Sequence, residues 1–384
     1  MNVRNPRFPL FDSLRAIAAL SVVAFHAAYY QGFLAPGHSL SRYYAQLNVG
    51  VAIFFVISGF LLYRPFAQAR FSRGEFPGVF PYAVRRVARI VPAYWLALPI
   101  IAAWLGRDAV FTAHGIPIYF GFLQVYSTDN LFGGIGQAWS ICVEVSFYAV
   151  LPLWALAMRR IRFRDERGFL ATELTALAAL FAAGVLWKVT TMPLNAGGTA
   201  VAFSPKVVTL PYFLDLFAIG MSIAAVSVAL GFERGPARAS WVPWVVAFGA
   251  FVLLCNVSRW FGVKEAEIVR HELKGVVGAG LILPAVFGTQ TQGVVRKVLA
   301  APALLWIGLV SYGVYLWQPA IMDELVRHNA NDTLGPVLAG LASLALALVV
   351  AAISYYGMER YALRLARRVG RRPVVEKVVA PVGD

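Results

Sequence analysis

Apolar runs of about twenty residues, separated by short polar stretches, recur along the whole chain. That is the length a helix needs to cross the hydrocarbon core of a bilayer. The runs place crossings near residues 11–30, 47–66, 91–106, 139–158, 169–190, 209–231, 241–259, 273–290, 301–322 and 335–357. The pattern predicts an all-α polytopic membrane bundle of about ten transmembrane helices. Residues 115–126 are apolar and aromatic but too short to cross. They read as a re-entrant or interfacial segment, because an eleventh crossing would invert the sidedness of everything that follows. Residues 74–89 combine Phe and Pro with a basic face and read as a loop leading into an interfacial helix. Pro92 then allows a helix break where the next span begins. Residues 1–358 form one membrane domain, and 359–384 form a basic tail resembling an amphipathic helix.

Charge fixes the sidedness. The formal net charge is +15, yet Asp, Glu, Lys and Arg make up only 14% of the chain and hydrophobic residues 59%. With the N-terminus inside, the inner loops and tail hold 24 of the 34 basic residues, Arg4, Arg7, Arg234, Arg238, Arg371, Arg372 and Lys377 among them. The positive-inside rule therefore predicts ten crossings with both ends cytoplasmic. This clustering argues against nucleic acid as a partner and for the bilayer. The first span opens with Asp12 and Arg15, and no small-residue cleavage site follows, so it reads as a retained signal-anchor helix. Cys142 and Cys255 form no metal or disulfide spacing, and no P-loop occurs.

Ionisable and polar residues inside the spans are the candidates for chemistry, because they are costly there. Arg15 and His26 are eleven residues apart, three turns plus about 20°, and so share one helical face about 16 Å apart along the axis. Alone, His26 reads as an interhelical hydrogen bond. Glu144, six positions into the span that begins at Trp139, is expected at the depth of His26, where a carboxylate would orient the imidazole as a general base; an ion pair or a bond to Ser140 is its structural alternative. Ser311, Tyr315 and Gln318 form one polar face, with Gln318 expected near the depth of His26 and the other two reading first as interhelical glue. Asn48 and Ser58 are polar groups in the second span, where Gly50 and Gly59 favour close helix approach. Arg86 and Arg89 share a face beside Arg85; their planar forks suit a phosphate, and lipid headgroups or topology are the alternatives. His38, His114, His271 and His328 read as solvated residues of outer loops.

These residues together resemble the acyltransferase-3 family of integral-membrane acyltransferases. The segments that carry the resemblance occur in family order: FDSLRAIAAL with His26, GVAIFFVISGFLL, RRVARIVPAYW, WSICVEVSFYAVLP and IGLVSYGVYLWQP. The resemblance implies a donor acyl-CoA, most often acetyl-CoA, with no bound cofactor or metal. It implies an acceptor hydroxyl on a cell-surface or lipid-linked carbohydrate, or on a natural product such as a macrolide. It also implies roles for Arg15, Arg86 and Arg89 at the donor and for His26 and Glu144 in catalysis. Family members often carry His where Gln318 stands, which places the acid/base work on His26. Longer members also carry an esterase-like domain for which the residues after Gly357 leave no room. A proton-coupled glycan transporter, with His26 and Glu144 as relay, is the reading from another class.

Overall fold

The computed structural model describes residues 8, 10–35, 38–192, 204–231, 241–287 and 293–369. The basic residues at 4, 7, 234, 238, 371, 372 and 377, and the tail beyond 369, lie outside the described residues. Among the described residues there is no strand. The main helices are α1 (Leu10–Tyr30), α2 (Val49–Phe71), α3 (Val79–Trp104), α4 (Trp139–Arg160), α5 (Glu166–Thr191), α6 (Leu210–Leu230), α7 (Val242–Leu254), α8 (Val263–Val286), α9 (Pro302–Arg327), α10 (Pro336–Ser354) and α11 (Arg360–Val369). The fold is an all-α polytopic membrane bundle.

Ten of these helices follow the ten expected spans in order, but among the described residues eight helical segments are long and apolar enough to cross a membrane. The remaining two differ for separate reasons. α7 is apolar but has only 13 residues. The first three turns of α8 carry Lys264, Glu265, Glu267, Arg270, His271, Glu272 and Lys274. The two pack against each other, and α8 also packs on α2 and α6.

The region before residue 91 also departs from expectation. α3 starts at Val79 and runs unbroken through Pro92 and Pro99, so Arg85, Arg86 and Arg89 belong to the same helix as the span. Proline removes an i→i−4 bond and crowds the preceding turn. Here that turn is tied to a neighbour, because Tyr312 Oη donates to the Ile90 carbonyl at 3.0 Å. Residues 115–126 do not cross; they form a short helix, Gly115–Phe120, and a turn of 3₁₀ helix, Gln124–Tyr126. Tyr94 Oη and Trp95 Nε1 of α3 donate to the carbonyls of Tyr119 and Phe120, each at 3.0 Å, and hold the segment against the bundle.

The interior is built by close contact at small residues. A methyl group added at Gly308 of α9 would overlap the backbone of Asp12 in α1, and one at Gly50 of α2 would overlap that of Ala18. α1 is thus clamped between α2 and α9. Outward faces are apolar: Leu153, Leu186, Phe248 and Ile353 are 66%, 62%, 69% and 68% exposed. Apolar surface of that extent suits lipid. One ionic clamp ties the ends of α2, α4 and α5. Arg70 Nη1 pairs with Glu173 Oε1 at 2.7 Å, Arg70 Nε donates to the Met158 carbonyl at 2.9 Å, and Tyr63 Oη donates to Glu173 Oε2 at 2.6 Å. Asp165 caps α5 by accepting the Gly168 N–H at 2.8 Å.

Candidate active site

Two cavities occupy opposite halves of the bundle, and they share Val51 and Tyr315 in their walls. The smaller, about 100 Å³, is lined by Arg15, Arg86, Arg89, Ser58 and Glu144. The larger, about 680 Å³, is lined by His26, Asn48 and aromatic side chains. The Arg15-to-His26 spacing along α1 is what separates them. Arg15 lies near the start of the helix and His26 near its end.

In the smaller cavity the three guanidinium groups converge from α1 and α3. Arg15 Nη1 pairs with Asp12 Oδ1 at 2.6 Å, one turn back on the same helix. Arg89 makes no hydrogen bond or ion pair among the described residues, and Arg86 Nε is buried without a partner. An unfilled Arg86 donor beside the Arg89 and Arg15 forks suits a ligand with several anionic oxygens, and guanidinium geometry matches phosphate. Arg86 also stands over the Tyr148 ring, 5.8 Å from its centroid.

Glu144 lies with the arginines. Its Oε1 accepts the Ser58 hydroxyl. The expected pairing of Glu144 with His26 is not what the helices bring together. α4 presents Ser140 to Tyr315, and the next turn carries Glu144 past that level into the arginine cavity. Counting positions from a span start misplaces depth, because helices in one bundle begin at different heights.

His26 instead meets Gln318, with Gln318 Nε2 2.6 Å from His26 Nδ1. The close approach of α9 to α1 at Gly308 makes that contact possible, and Gln318 is fully buried. The amide has two roles open to it. With Nε2–H donating, His26 keeps its proton on Nε2. Turned by half a rotation, Oε1 accepts Nδ1–H and leaves the His26 Nε2 lone pair free to take a proton. Gln318 Oε1 has no partner among the described residues, so nothing else holds the amide to the first arrangement.

The wall between the cavities is hydrogen-bonded. Tyr315 Oη meets Ser140 Oγ at 2.6 Å and donates to the Gln137 carbonyl at 2.8 Å. Gln137 Nε2 donates back to the carbonyls of Tyr315 and Leu316 at 3.1 and 2.8 Å. Ser311 Oγ donates to the Gly308 carbonyl at 2.8 Å, the intrahelical role expected of structural glue. Asn48 reaches the larger cavity with its Oδ1 unpartnered.

Residues 9–356 match the model of the acyltransferase-3 family, described as an acyltransferase domain. This chain belongs to that family. It is an acyltransferase. Relatives of this acyltransferase-3 protein include the exopolysaccharide production protein ExoZ of Rhizobium meliloti, 26% identical over 83% of this chain and 90% of that protein. The acyltransferase MdmB of Streptomyces mycarofaciens is 27% identical over 97% of this chain and 96% of its own length. The peptidoglycan O-acetyltransferase OatA of Listeria monocytogenes is 23% identical over 91% of this chain, which spans 55% of that protein. No solved structure matches.

Sequence reasoning missed one group. His271, expected in a solvated loop, lies in α8 at 6% exposure and contacts Asp215 of α6. The polar run at the start of α8 hid it, because such a run reads as loop when only apolar length is scored.

Proposed function

We propose that this membrane acyltransferase moves an acyl group, most simply acetyl, from acyl-CoA to a hydroxyl of a cell-surface or lipid-linked carbohydrate. Arg15, Arg86 and Arg89 hold the phosphates of the donor at the cytoplasmic half of the bundle, with Glu144 and Ser58 setting the polar wall beside them. The pantetheine arm runs from there toward Tyr315. The acceptor enters the larger cavity, where His26 Nε2 takes the proton of the attacking hydroxyl. The hydroxyl oxygen bonds to the thioester carbon, the C–S bond breaks, and CoA leaves as the thiolate.

One observation carries this reading: the arginine cavity and the His26 cavity lie in opposite halves of one bundle and meet at Val51 and Tyr315. The names of two relatives, an exopolysaccharide production protein and a peptidoglycan O-acetyltransferase, support a carbohydrate acceptor. The basic inner loops support an orientation with both termini inside, and the bacterial relatives support a bacterial cytoplasmic membrane. A transporter has no need of a three-guanidinium cavity.

The test is transfer by purified protein. Labelled acetyl-CoA is added to protein in proteoliposomes with envelope carbohydrate from a strain lacking the gene. Release of CoA thiol with label on carbohydrate, lost in His26→Ala, is the expected result. Transfer unaffected by His26→Ala removes His26 from the reaction, and no transfer by the wild type removes the reading.

A further inference from the structure

A second charged cluster is buried between α5, α6 and α8. Asp215 of α6 is fully buried, and its carboxylate is held from three directions. Lys188 of α5 pairs with Oδ2, and Oδ1 accepts the Leu216 N–H at 2.8 Å and lies 3.1 Å from His271 Nε2. Lys188, also fully buried, pairs in addition with Glu272 Oε1 at 3.0 Å. A carboxylate bonded to one imidazole nitrogen fixes the tautomer: Nε2 carries the proton and donates it to Asp215, and Nδ1 presents a lone pair. Nδ1 has no partner among the described residues, and the His271 ring lines the same cavity as His26.

We infer that His271 is an acceptor-binding residue: its Nδ1 accepts a hydrogen bond from one hydroxyl of a polyhydroxylated ring while another hydroxyl of that ring is presented to His26. The inference rests on the reading of the larger cavity as the acceptor site. The chemistry of the walls names the class. His26 Nε2, in the tautomer that leaves its lone pair free, is a second hydrogen-bond acceptor on this cavity. Two unfilled acceptors call for a ligand that brings two donors, which a polyol does and a simple alcohol does not. Trp139, Tyr30 and Tyr212 supply ring surface to the same walls, apolar faces against which the C–H faces of a sugar pack. About 680 Å³ lies within the range of small-molecule sites. The ion cluster behind His271 makes the imidazole rigid, which is what a specificity contact requires and what a lipid-facing histidine lacks.

The experiment uses the proteoliposome assay with envelope carbohydrate from the gene-deleted strain as acceptor, its concentration varied at saturating acetyl-CoA and the reverse. H271Q is the informative variant. Its side-chain amide donates to Asp215 as Nε2 did, while the lone pair at Nδ1 is gone. The acceptor concentration for half-saturation should rise at least tenfold, with the KM for acetyl-CoA within twofold of wild type. Unchanged acceptor half-saturation in folded H271Q overturns the inference. Should H271Q fail to elute as a folded monodisperse protein, modification of His271 by diethyl pyrocarbonate in the wild type, followed by mass spectrometry, should be slowed at least severalfold by the acceptor carbohydrate, and an unslowed modification overturns it equally. Label on lipid or on a monohydroxyl compound of the extract, with none on carbohydrate, also overturns it. His26→Ala runs in parallel. Abolished transfer in His26→Ala with an unmoved H271Q defeats the inference alone, whereas full transfer in His26→Ala defeats the reading on which it rests.

Discussion

At the scale of single residues, the division of polar partners decides what each substitution should do. His26 is bonded to an amide, Gln318, and not to a carboxylate. Loss of a general base costs about 10²–10⁴-fold in rate, so His26→Ala should reduce kcat by that factor with little change in detergent stability; activity within a few fold of wild type sinks the assignment. Gln318→Leu tests the amide separately. It fills similar volume but offers Nδ1 no partner, so kcat should fall while both KM values stay near wild type. A Gln318→Leu protein that matches wild type would show that the tautomer of His26 is set elsewhere. Arg15 is a sharper case. One nitrogen of its fork holds Asp12, and the rest of the group lines the arginine cavity. Lysine keeps the charge but offers a point donor, which cannot serve Asp12 and a phosphate oxygen together. Arg15→Lys should therefore raise the KM for acyl-CoA, whereas a plain topology signal would tolerate the change. Near-normal kinetics in correctly inserted Arg15→Lys leaves Arg15 as an anchor and nothing more.

At the scale of elements, packing against a neighbour explains both what the sequence made legible and what it hid. Eight long apolar helices were readable because twenty-residue apolar runs have few alternatives in a chain this hydrophobic. The Arg15–His26 face was readable because both lie on one helix, where spacing is geometry. The His26–Gln318 pair was half-readable: equal depth was expected, and contact follows only from Gly308 letting α9 close on α1. Glu144 was misplaced because its depth depends on where α4 starts relative to α1, which no single-helix rule supplies. His271 was hidden by the charges around it in α8, and its partner Asp215 sits on a different helix, 56 positions away. Arg70 shows the same limit from the other side. It counts as one more inner-loop charge in the sequence, yet it is 6% exposed and joins α2 to α4 and α5. Removing one partner of a buried ion pair typically costs about 3–5 kcal/mol. Arg70→Ala should therefore lower the thermal transition markedly, and the paired change Arg70→Met with Glu173→Leu should restore much of it. A transition unchanged by Arg70→Ala would show that the clamp contributes nothing.

At the scale of the whole molecule, the order of the two cavities along the bundle gives the proposed reaction a direction. The guanidinium groups gather where α1 begins and α3 carries its basic turns, the end that the proposed orientation turns to the cytoplasm. The pairing of α7 with α8 does not disturb this assignment. Whether that hairpin crosses twice or not at all, the helices after it keep the same sidedness, because either count is even. Acyl-CoA is a polyanion that does not cross a bilayer, so on the proposed function the donor meets the arginines from the side on which they open. Sealed vesicles of the two orientations separate the cases. Inverted vesicles, with the cytoplasmic face outward, should consume acetyl-CoA added outside, and right-side-out vesicles should consume it only after permeabilisation. Arg86→Ala with Arg89→Ala should raise the donor KM in the inverted vesicles and reduce its sensitivity to salt, since fewer charge-assisted phosphate contacts remain to be screened. The same double substitution should leave kcat at saturating donor close to wild type, because phosphate contacts far from the thioester stabilise ground and transition states alike. Equal consumption by intact vesicles of both orientations, or a donor KM unmoved in the double variant while cysteine labelling reports inverted helices, would place the arginines among the topology signals and leave the two cavities without a donor end.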